Sequence, residues 1–312
     1  MEIGLGIDGR LVLSDAEQAD VAAEAAGLGY TSLWTPNRDD AFELCAKWHA
    51  ASGLDTGISV LPIGRWSTAA LVAGARTTRE RTGGRFVLGV GSGSERDKPI
   101  KKMRDLASSL RASLGDARTY LAALGPQMLR LAGERYDGAA LNWCSPEQTL
   151  WSRERVAAGA LAAGRDPRDV RIHQYIRVCV DRDVAAARRA LAVMTLAYAM
   201  NRPGADPTMG YRGHFARMGF DAVLTELEKL KASGASDDDL ADALPDELLG
   251  RVGWWGPPED AAAGFEALTG GNDIAIVRVV AGTSNGVECV RLAMRSCVRG
   301  LASSAQHLAR DQ

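Results

Sequence analysis

Strand-length apolar runs alternate with helix-length amphipathic stretches along almost all of the 312 residues, and this rhythm limits the fold more than any single motif does. Residues 2–7 read as a first strand, and Ser14-Asp-Ala-Glu17 has capping-box spacing ahead of an alanine-rich helix that runs to Gly29. Further strands fall at 30–35, 55–62, 86–91, 119–124, 138–142 and 170–180. Helices separate them at 40–52, 67–83, 98–114, 126–136 and 146–164, with Ser67 as an N-cap and Pro126 in a first turn. After a helix over 183–200 the rhythm breaks. Residues 201–250, rich in Gly, Pro and Asp, read as short helices outside the repeat. A helix at 257–269, an eighth strand at 274–280 and a helix at 285–308 complete the pattern.

Strands separated by helices must run parallel through right-handed crossovers, which places the chain in the α/β class. Eight of them predict a closed (β/α)8 TIM barrel rather than an open doubly wound sheet, since no Gly-x-Gly-x-x-Gly turn follows the first strand. The expected organisation is one domain over 1–312, with 201–250 a helical insertion near the barrel mouth between the seventh and eighth repeats.

Apolar residues make up 46% of the chain and charged residues 24%, enough for a large core and too ordered a mixture for a disordered chain. The net charge of −2, with both signs interleaved, argues against nucleic acid or an anionic membrane as a partner. Five cysteines form no Cys-x-x-Cys pair and stand at no metal-ligand spacing with histidine, so we expect reduced thiols, no metal and a cytoplasmic protein. With strand pattern already at Glu2, no leader peptide is expected, and no apolar run reaches bilayer length.

In a barrel, chemistry collects where the strands end. Those ends deliver Asp8 and Arg10, then Asn37, Arg38, Asp39 and Asp40, then Ser59-Val-Leu-Pro62 with Arg65 and Trp66. They also deliver Gly89-Val-Gly-Ser-Gly-Ser-Glu95, Gly125-Pro126 and Asn142-Trp143. The glycine-serine run before Lys98, Lys101 and Lys102 suits an anion, its backbone N–H groups free to approach and the lysines adding positive potential; its other reading is a tight turn before a solvated basic helix. Arg177 and Arg278 each interrupt an apolar strand, either to meet substrate or to snorkel outward along the helix layer. His173, alone in the seventh strand, reads first as a satisfied core residue. No Gly-x-Ser-x-Gly elbow or His-Glu-x-x-His motif supports covalent hydrolysis or zinc chemistry.

Several segments, taken in order, resemble the luciferase-like superfamily, and specifically its coenzyme F420-dependent branch. They are Gly27-Leu-Gly-Tyr-Thr-Ser-Leu-Trp34, Thr56-Gly-Ile-Ser-Val-Leu-Pro62 with Arg65, and Thr82-Gly-Gly-Arg-Phe-Val-Leu-Gly-Val-Gly-Ser-Gly93. Gly125-Pro-Gln-Met-Leu-Arg-Leu-Ala-Gly-Glu134 with Asp137-Gly-Ala-Ala-Leu-Asn142 looks most like the methylenetetrahydromethanopterin reductase subgroup, and Gly256-Pro-Pro-Glu-Asp260 like the turn before the last repeat.

The resemblance implies a non-prolyl cis peptide at Ser59–Val60 in a bulge behind the cofactor ring. It also implies cofactor contacts from Ser59, Val60, Leu61, Gly91, Ser92, Gly93, Ser94, Gly125, Gly138 and Asn142, with Arg65 and the Lys98 region near the phosphate. Arg177 matches a basic substrate-binding position of F420-dependent glucose-6-phosphate dehydrogenase. The aspartate-histidine pair of that dehydrogenase is replaced by Asn37-Arg38, and its fourth-strand acid by Ser94, which argues against sugar-phosphate oxidation. The segment between Ser94 and Thr119 is short for the family, so a trimmed lid is expected.

These readings predict hydride transfer from reduced coenzyme F420 to an activated C=C or C=N bond of a small organic substrate, in natural-product metabolism, with Asn37, Arg38 and Arg177 orienting that substrate. A reduced-FMN monooxygenase and a non-catalytic cofactor-binding barrel are the alternatives. A homodimer is expected.

Overall fold

The computed structural model describes residues 1–200 and 206–298. Its strands are β1 (Glu2–Gly6), β2 (Ser32–Thr35), β3 (Asp55–Pro62), β4 (Phe86–Gly91), β5 (Arg118–Ala122), β6 (Gly138–Asn142), β7 (Arg171–Val180), β8 (Gly253–Gly256) and β9 (Ile274–Val279). Strands β1 to β7 pair in sequence and in parallel; β7 also pairs β9, and β9 returns to β1. Eight strands thus close a ring, the TIM barrel that the alternation predicts.

The helices are α1 (Asp15–Gly27), α2 (Ala41–Ser52), α3 (Thr68–Arg81), α4 (Pro99–Leu114), α5 (Pro126–Arg135), α6 (Pro146–Ala162) and α7 (Val184–Ala199). In the insertion come α8 (Gly210–Phe215), α9 (Asp221–Ala232), α10 (Asp237–Ala243) and α11 (Asp246–Leu249), then α12 (Ala261–Glu266) and α13 (Val287–Cys297) close the described chain. Ser14 and Glu17 form the expected capping box, and Ser67 Oγ accepts from the Ala70 N–H at 3.2 Å. These local contacts fix where α1 and α3 begin before any packing is considered.

One expectation is corrected and one strand was unread. The helix read over 257–269 is only Ala261–Glu266, because Pro257 and Pro258 force a turn ahead of it. Strand β8 was missed: four residues, two of them Trp, are too few for a visible period. It pairs with the upper half of β7, Arg177 beside Gly253 through Val180 beside Gly256, on the edge that β6 leaves free beyond Tyr175. The closing helix is described only to Cys297, and the remainder of the segment read to 308 lies outside the described residues, as do 201–205 of the insertion.

Leu61, Phe86, Leu88, Met103, Leu110 and Tyr136 bury the interface between one half of the ring and α2 to α6. Val21, Trp48, Ile176, Val277 and Met294 do so beneath α1 and α13. Each such side chain contributes roughly 1.5–3 kcal/mol of burial. A third core, with Trp143, Leu191, Phe215, Phe220, Leu224 and Leu240, sits under the insertion and fixes it against α7. Arg188 reinforces that seat, donating to Ala241 O at 2.9 Å and to Asp246 Oδ1 at 2.6 Å. The insertion is therefore packed onto the seventh repeat. No helix among the described residues is long and apolar enough to cross a membrane.

Candidate active site

Side chains alternate inward and outward along each strand, so every second residue enters the lumen. A Cβ at Gly57 would lie 2.3 Å from the Trp34 ring, and one at Gly138 2.7 Å from the Tyr120 ring. Small residues on some strands thus make room for aromatic rings on others. Trp34, whose Nε1 donates to Ser32 Oγ at 2.8 Å, packs edge-on to His173 with 4.3 Å between ring centroids, and Tyr120 lies 5.1 Å from the same imidazole. Burial pushes the His173 pKa down to about 3, with the Arg171 charge adding to the effect, so the ring is neutral. Its Nε2 lies 3.0 Å from Ser59 Oγ and its Nδ1 has no partner.

At Ser59 the third strand departs from regular pairing. The Ser59–Val60 peptide is cis, and the β3–β4 register shifts between Ile58 and Leu61. Strand β4 can lie against this bulge because a Cβ at Gly89 would fall 2.1 Å from Ile58 O and one at Gly91 3.0 Å from the Val60 side chain. The result is a floor of backbone and a half-buried Val60 side chain. Leu61, fully buried, points into the helix-side core and offers only its backbone here.

The glycine-serine loop after β4 is differently charged from its sequence reading. Ser92 is half-buried, Gly93 and Ser94 are exposed, and Gly93 holds φ of 58° with Pro62 against it. Lys102, however, pairs with Glu95 at 2.8 Å and Asp97 at 3.4 Å, Lys101 with Asp105 at 2.7 Å, and Arg65 with Asp39 at 2.5 Å. The basic cradle expected from spacing is largely neutralised by its own neighbours. Lys98 stands as the N-cap of α4 at φ 48°, and α4 follows the loop directly, so the segment between Ser94 and Thr119 carries no separate lid.

Gly125 precedes α5 at the end of β5, and Asn142 ends β6, both on the mouth side. Gly138 does not join them. It opens β6 at the opposite, N-terminal end, where a Cβ would also fall 2.7 Å from Arg171 O. Its smallness serves packing around Tyr120, and its expected cofactor contact is corrected accordingly.

The mouth over β1, β7 and β9 holds the strongest electrostatics. Arg278 Nη2 donates to Asp8 Oδ2 at 2.6 Å and its guanidinium lies over Tyr175, 4.5 Å from the ring centroid. Burial alone would raise the Asp8 pKa, but Arg278 and Arg10 together hold the carboxyl well below its usual range. Arg177 sits beside Arg278 in the β7–β9 register and donates from Nη1 to Asn142 Oδ1 at 2.6 Å. Its guanidinium stacks over Trp143 at 3.7 Å and faces Tyr198 at 5.3 Å. Burial, helped by the Arg278 charge, brings the Arg177 pKa down to about 10. Asn142 Nδ2 in turn donates to the Tyr211 hydroxyl at 2.7 Å, which joins β6 to the insertion. Both arginines thus face the lumen and neither snorkels outward.

Asn37 and Arg38 stand at the end of β2 with partners of their own. Asn37 Oδ1 accepts from Trp66 Nε1 at 2.9 Å, and Arg38 grips Asp40 with two donors. No hydrogen bond or ion pair among the described residues joins them to Arg177. The three expected substrate-orienting residues therefore occupy two sides of the mouth.

A cleft of about 320 Å³ beside the mouth went unread in the sequence. It is lined by Ser145, Glu147, Gln148, Trp151, Arg217, Met218 and Arg251 at the N-terminus of α6, where Ser145 Oγ accepts from the Gln148 N–H at 3.2 Å and Glu147 lies 4.0 Å from Arg251. Two arginines face one carboxylate there, while Pro146 has no N–H and Ser145 takes that of Gln148, so whatever positive character the cleft has comes from Arg217 and Arg251. The Ser-x-x-Gln spacing of residues 145–148 was the available signal. A larger cleft of about 430 Å³, lined by Arg76, Arg79, Glu80 and Gly84, opens at the far end of the barrel, near the start of β4 and away from the strand ends.

A closed parallel barrel with a bulged third strand and charged residues gathered at its C-terminal mouth defines a TIM-barrel enzyme. The chain belongs to the luciferase-like monooxygenase family, whose model matches residues 97–271. A 5,10-methylenetetrahydromethanopterin reductase of Methanolobus tindarius is 25% identical, over 88% of this chain and 91% of that protein. The solved coenzyme F420-dependent tetrahydromethanopterin reductase of Methanopyrus kandleri superposes with a TM-score of 0.70 at 16% identity, covering 96% of this chain and 99% of that one. The oxygenating constituent of 3,6-diketocamphane monooxygenase from Pseudomonas putida, solved with FMN, superposes with a TM-score of 0.55 at 16% identity over 95% and 96% of the two chains. These two structures share the fold.

Proposed function

We propose that the chain is a coenzyme F420-dependent oxidoreductase that reduces an activated C=C or C=N bond of a small organic substrate. The observation that carries this reading is the reductase relative, which spans 88% of the chain and bears the name of an enzyme that uses coenzyme F420 in a second organism. The bulge fits the group: Gly89 and Gly91 keep the floor beside Val60 free of side chains, and a Cβ at Gly91 would meet Ala122 and Val60 at 3.0 Å. When bound, the deazaflavin supplies the hydride.

The chain supplies position. The backbone at Ser59 and Val60 and the loop residues Ser92, Gly93, Ser94 and Gly125 would hold the deazaflavin, and Arg217 and Arg251 at the α6 cleft would pair with its phosphate. Arg65 and Lys98 are weaker candidates for that phosphate, Arg65 because it is already paired with Asp39. Arg177 and Asn142 from one side, and Asn37 and Arg38 from the other, orient the substrate. His173 is fully buried and its pKa of about 3 makes it too weak a base to take a proton from a substrate hydroxyl, in keeping with reduction rather than alcohol oxidation.

Titration of the purified protein with oxidised coenzyme F420 and separately with FMN, under matched salt, tests the reading. Tight binding of the deazaflavin alone supports it. Preference for FMN moves the assignment to a reduced-flavin monooxygenase, which the family description and the camphane enzyme favour. Tight deazaflavin binding with no oxidation of the reduced form across a broad substrate panel makes the chain a carrier. Sedimentation of the same sample tests the further reading of a homodimer, and the five buried free cysteines accord with a reducing, cytoplasmic setting.

A further inference from the structure

Two guanidiniums, Arg177 and Arg278, lie side by side in the lumen with 3% and 4% of their surface exposed. One carboxylate, Asp8, ion-pairs with Arg278; Arg177 forms no ion pair among the described residues and leans on the neutral Asn142 and two aromatic faces. Arg10, which shares Asp8, is largely solvated, its side chain 57% exposed. The buried group therefore carries two positive charges against one negative, a surplus of one. A lone buried cation is costly unless a partner of opposite charge arrives.

Donors point the same way. Arg177 Nε, Arg278 Nε and Nη1 and the Tyr175 hydroxyl are all buried without a hydrogen-bond partner. Buried donors of this kind are normally satisfied, and guanidinium forks match the planar geometry of a carboxylate. Arg177 is also covered by Tyr198 of α7 and, by way of Asn142, is linked to Tyr211 of the insertion.

We propose that the substrate of this site carries a carboxylate group, held between Arg177 and Arg278. The inference rests on the mouth being the substrate site of an oxidoreductase. A monoanion cancels the surplus charge, whereas a phosphate dianion overshoots it.

Calorimetric titration with benzoate and with its neutral isostere benzamide, on wild type, Arg177→Gln, Arg177→Lys and Asp8→Asn, tests the proposal, with circular dichroism as the check on folding. Benzoate is expected to bind wild type about tenfold more tightly than benzamide, to lose that advantage in Arg177→Gln, and to regain part of it in Arg177→Lys. Asp8→Asn removes the resident counter-charge and is expected to strengthen benzoate binding, a gain that a merely structural role for the arginines does not produce.

Equal affinity for benzoate and benzamide in wild type overturns the proposal, as does unchanged benzoate affinity in folded Arg177→Gln. If Arg177→Gln fails to fold, absence of any gain in Asp8→Asn overturns it. Inorganic phosphate binding more tightly than benzoate in wild type, with that binding lost in Arg177→Gln, overturns the choice of carboxylate. Failure to bind coenzyme F420 while the benzoate preference persists overturns only the proposed function, so the two readings fail separately.

Discussion

His173 Nε2 and Ser59 Oγ meet at 3.0 Å across the lumen, tying the seventh strand to the bulge of the third. The pair sits beneath the backbone floor of the mouth, and only one nitrogen of the imidazole is used. The ring is neutral because its charged form would be desolvated.

That neutrality gives the fold a pH dependence. His173 and His214 are depressed from 6.5 to about 3 and about 4, in both cases chiefly by burial. Below 6.5 the unfolded chain takes up protons that the folded chain refuses, so stability is full above that pH and falls as pH drops towards 4. At pH 5 each histidine should account for about 2 kcal/mol of lost stability relative to pH 7. Urea denaturation at both pH values measures the loss, and His173→Asn should remove about half of it. An identical slope in that variant would show that carboxylates carry the effect.

Gly89 tests the bulge. A methyl group there would lie 2.1 Å from Ile58 O, a backbone atom that cannot step aside. Gly89→Ala should destabilise the protein by about 1–3 kcal/mol, and cofactor affinity should fall with it. A thermal midpoint and affinity matching wild type would mean the β3–β4 contact is looser than the geometry shows.

Arg38 separates stability from chemistry. Its pair with Asp40 is exposed enough, at 30% and 54%, to contribute no more than about 1 kcal/mol. Arg38→Ala should therefore keep its denaturation midpoint close to wild type. Once a substrate is found, kcat/KM should drop about tenfold if Arg38 orients it. An unchanged kcat/KM would remove Arg38 from the site.

Arg212 tests how the insertion is held. Its side chain is 2% exposed and bonds Asp221 at 2.8 Å, Glu228 at 3.0 Å and Thr225 at 3.1 Å. Arg212→Met should cost about 2 kcal/mol, discounted because Asp221 is solvated. Hydrogen exchange should quicken in α8 and α9 and stay slow in the barrel strands. Equal quickening everywhere would show that insertion and barrel unfold as one unit.

Much of this protein is local and therefore readable. Ser14 with Glu17, Ser67, and the alternation of apolar runs are properties of neighbouring residues, and the helices and eight ring strands follow from them. Inward-facing arginines at 177 and 278 were visible as charges interrupting apolar strands. What they face was not, because Asn142, Trp143, Asp8 and Tyr198 come from other parts of the chain and meet only when the ring closes.

The same limit explains the corrections. Gly138 and Asn142 are four residues apart in sequence, yet a strand rises about 3.3 Å per residue, so they stand at opposite ends of β6. The lysines after Ser94 could be read as a positive cradle or as a solvated basic face, and in the fold Lys102 pairs with Glu95 and Asp97 and Lys101 with Asp105. The elements, their order and the end of the barrel at which function collects are local properties of the chain, since backbone periodicity and capping act over a few residues. Which charges stay unpaired at that mouth follows from closure of the ring, since an ion pair depends on distance through space and on how much water that closure removes.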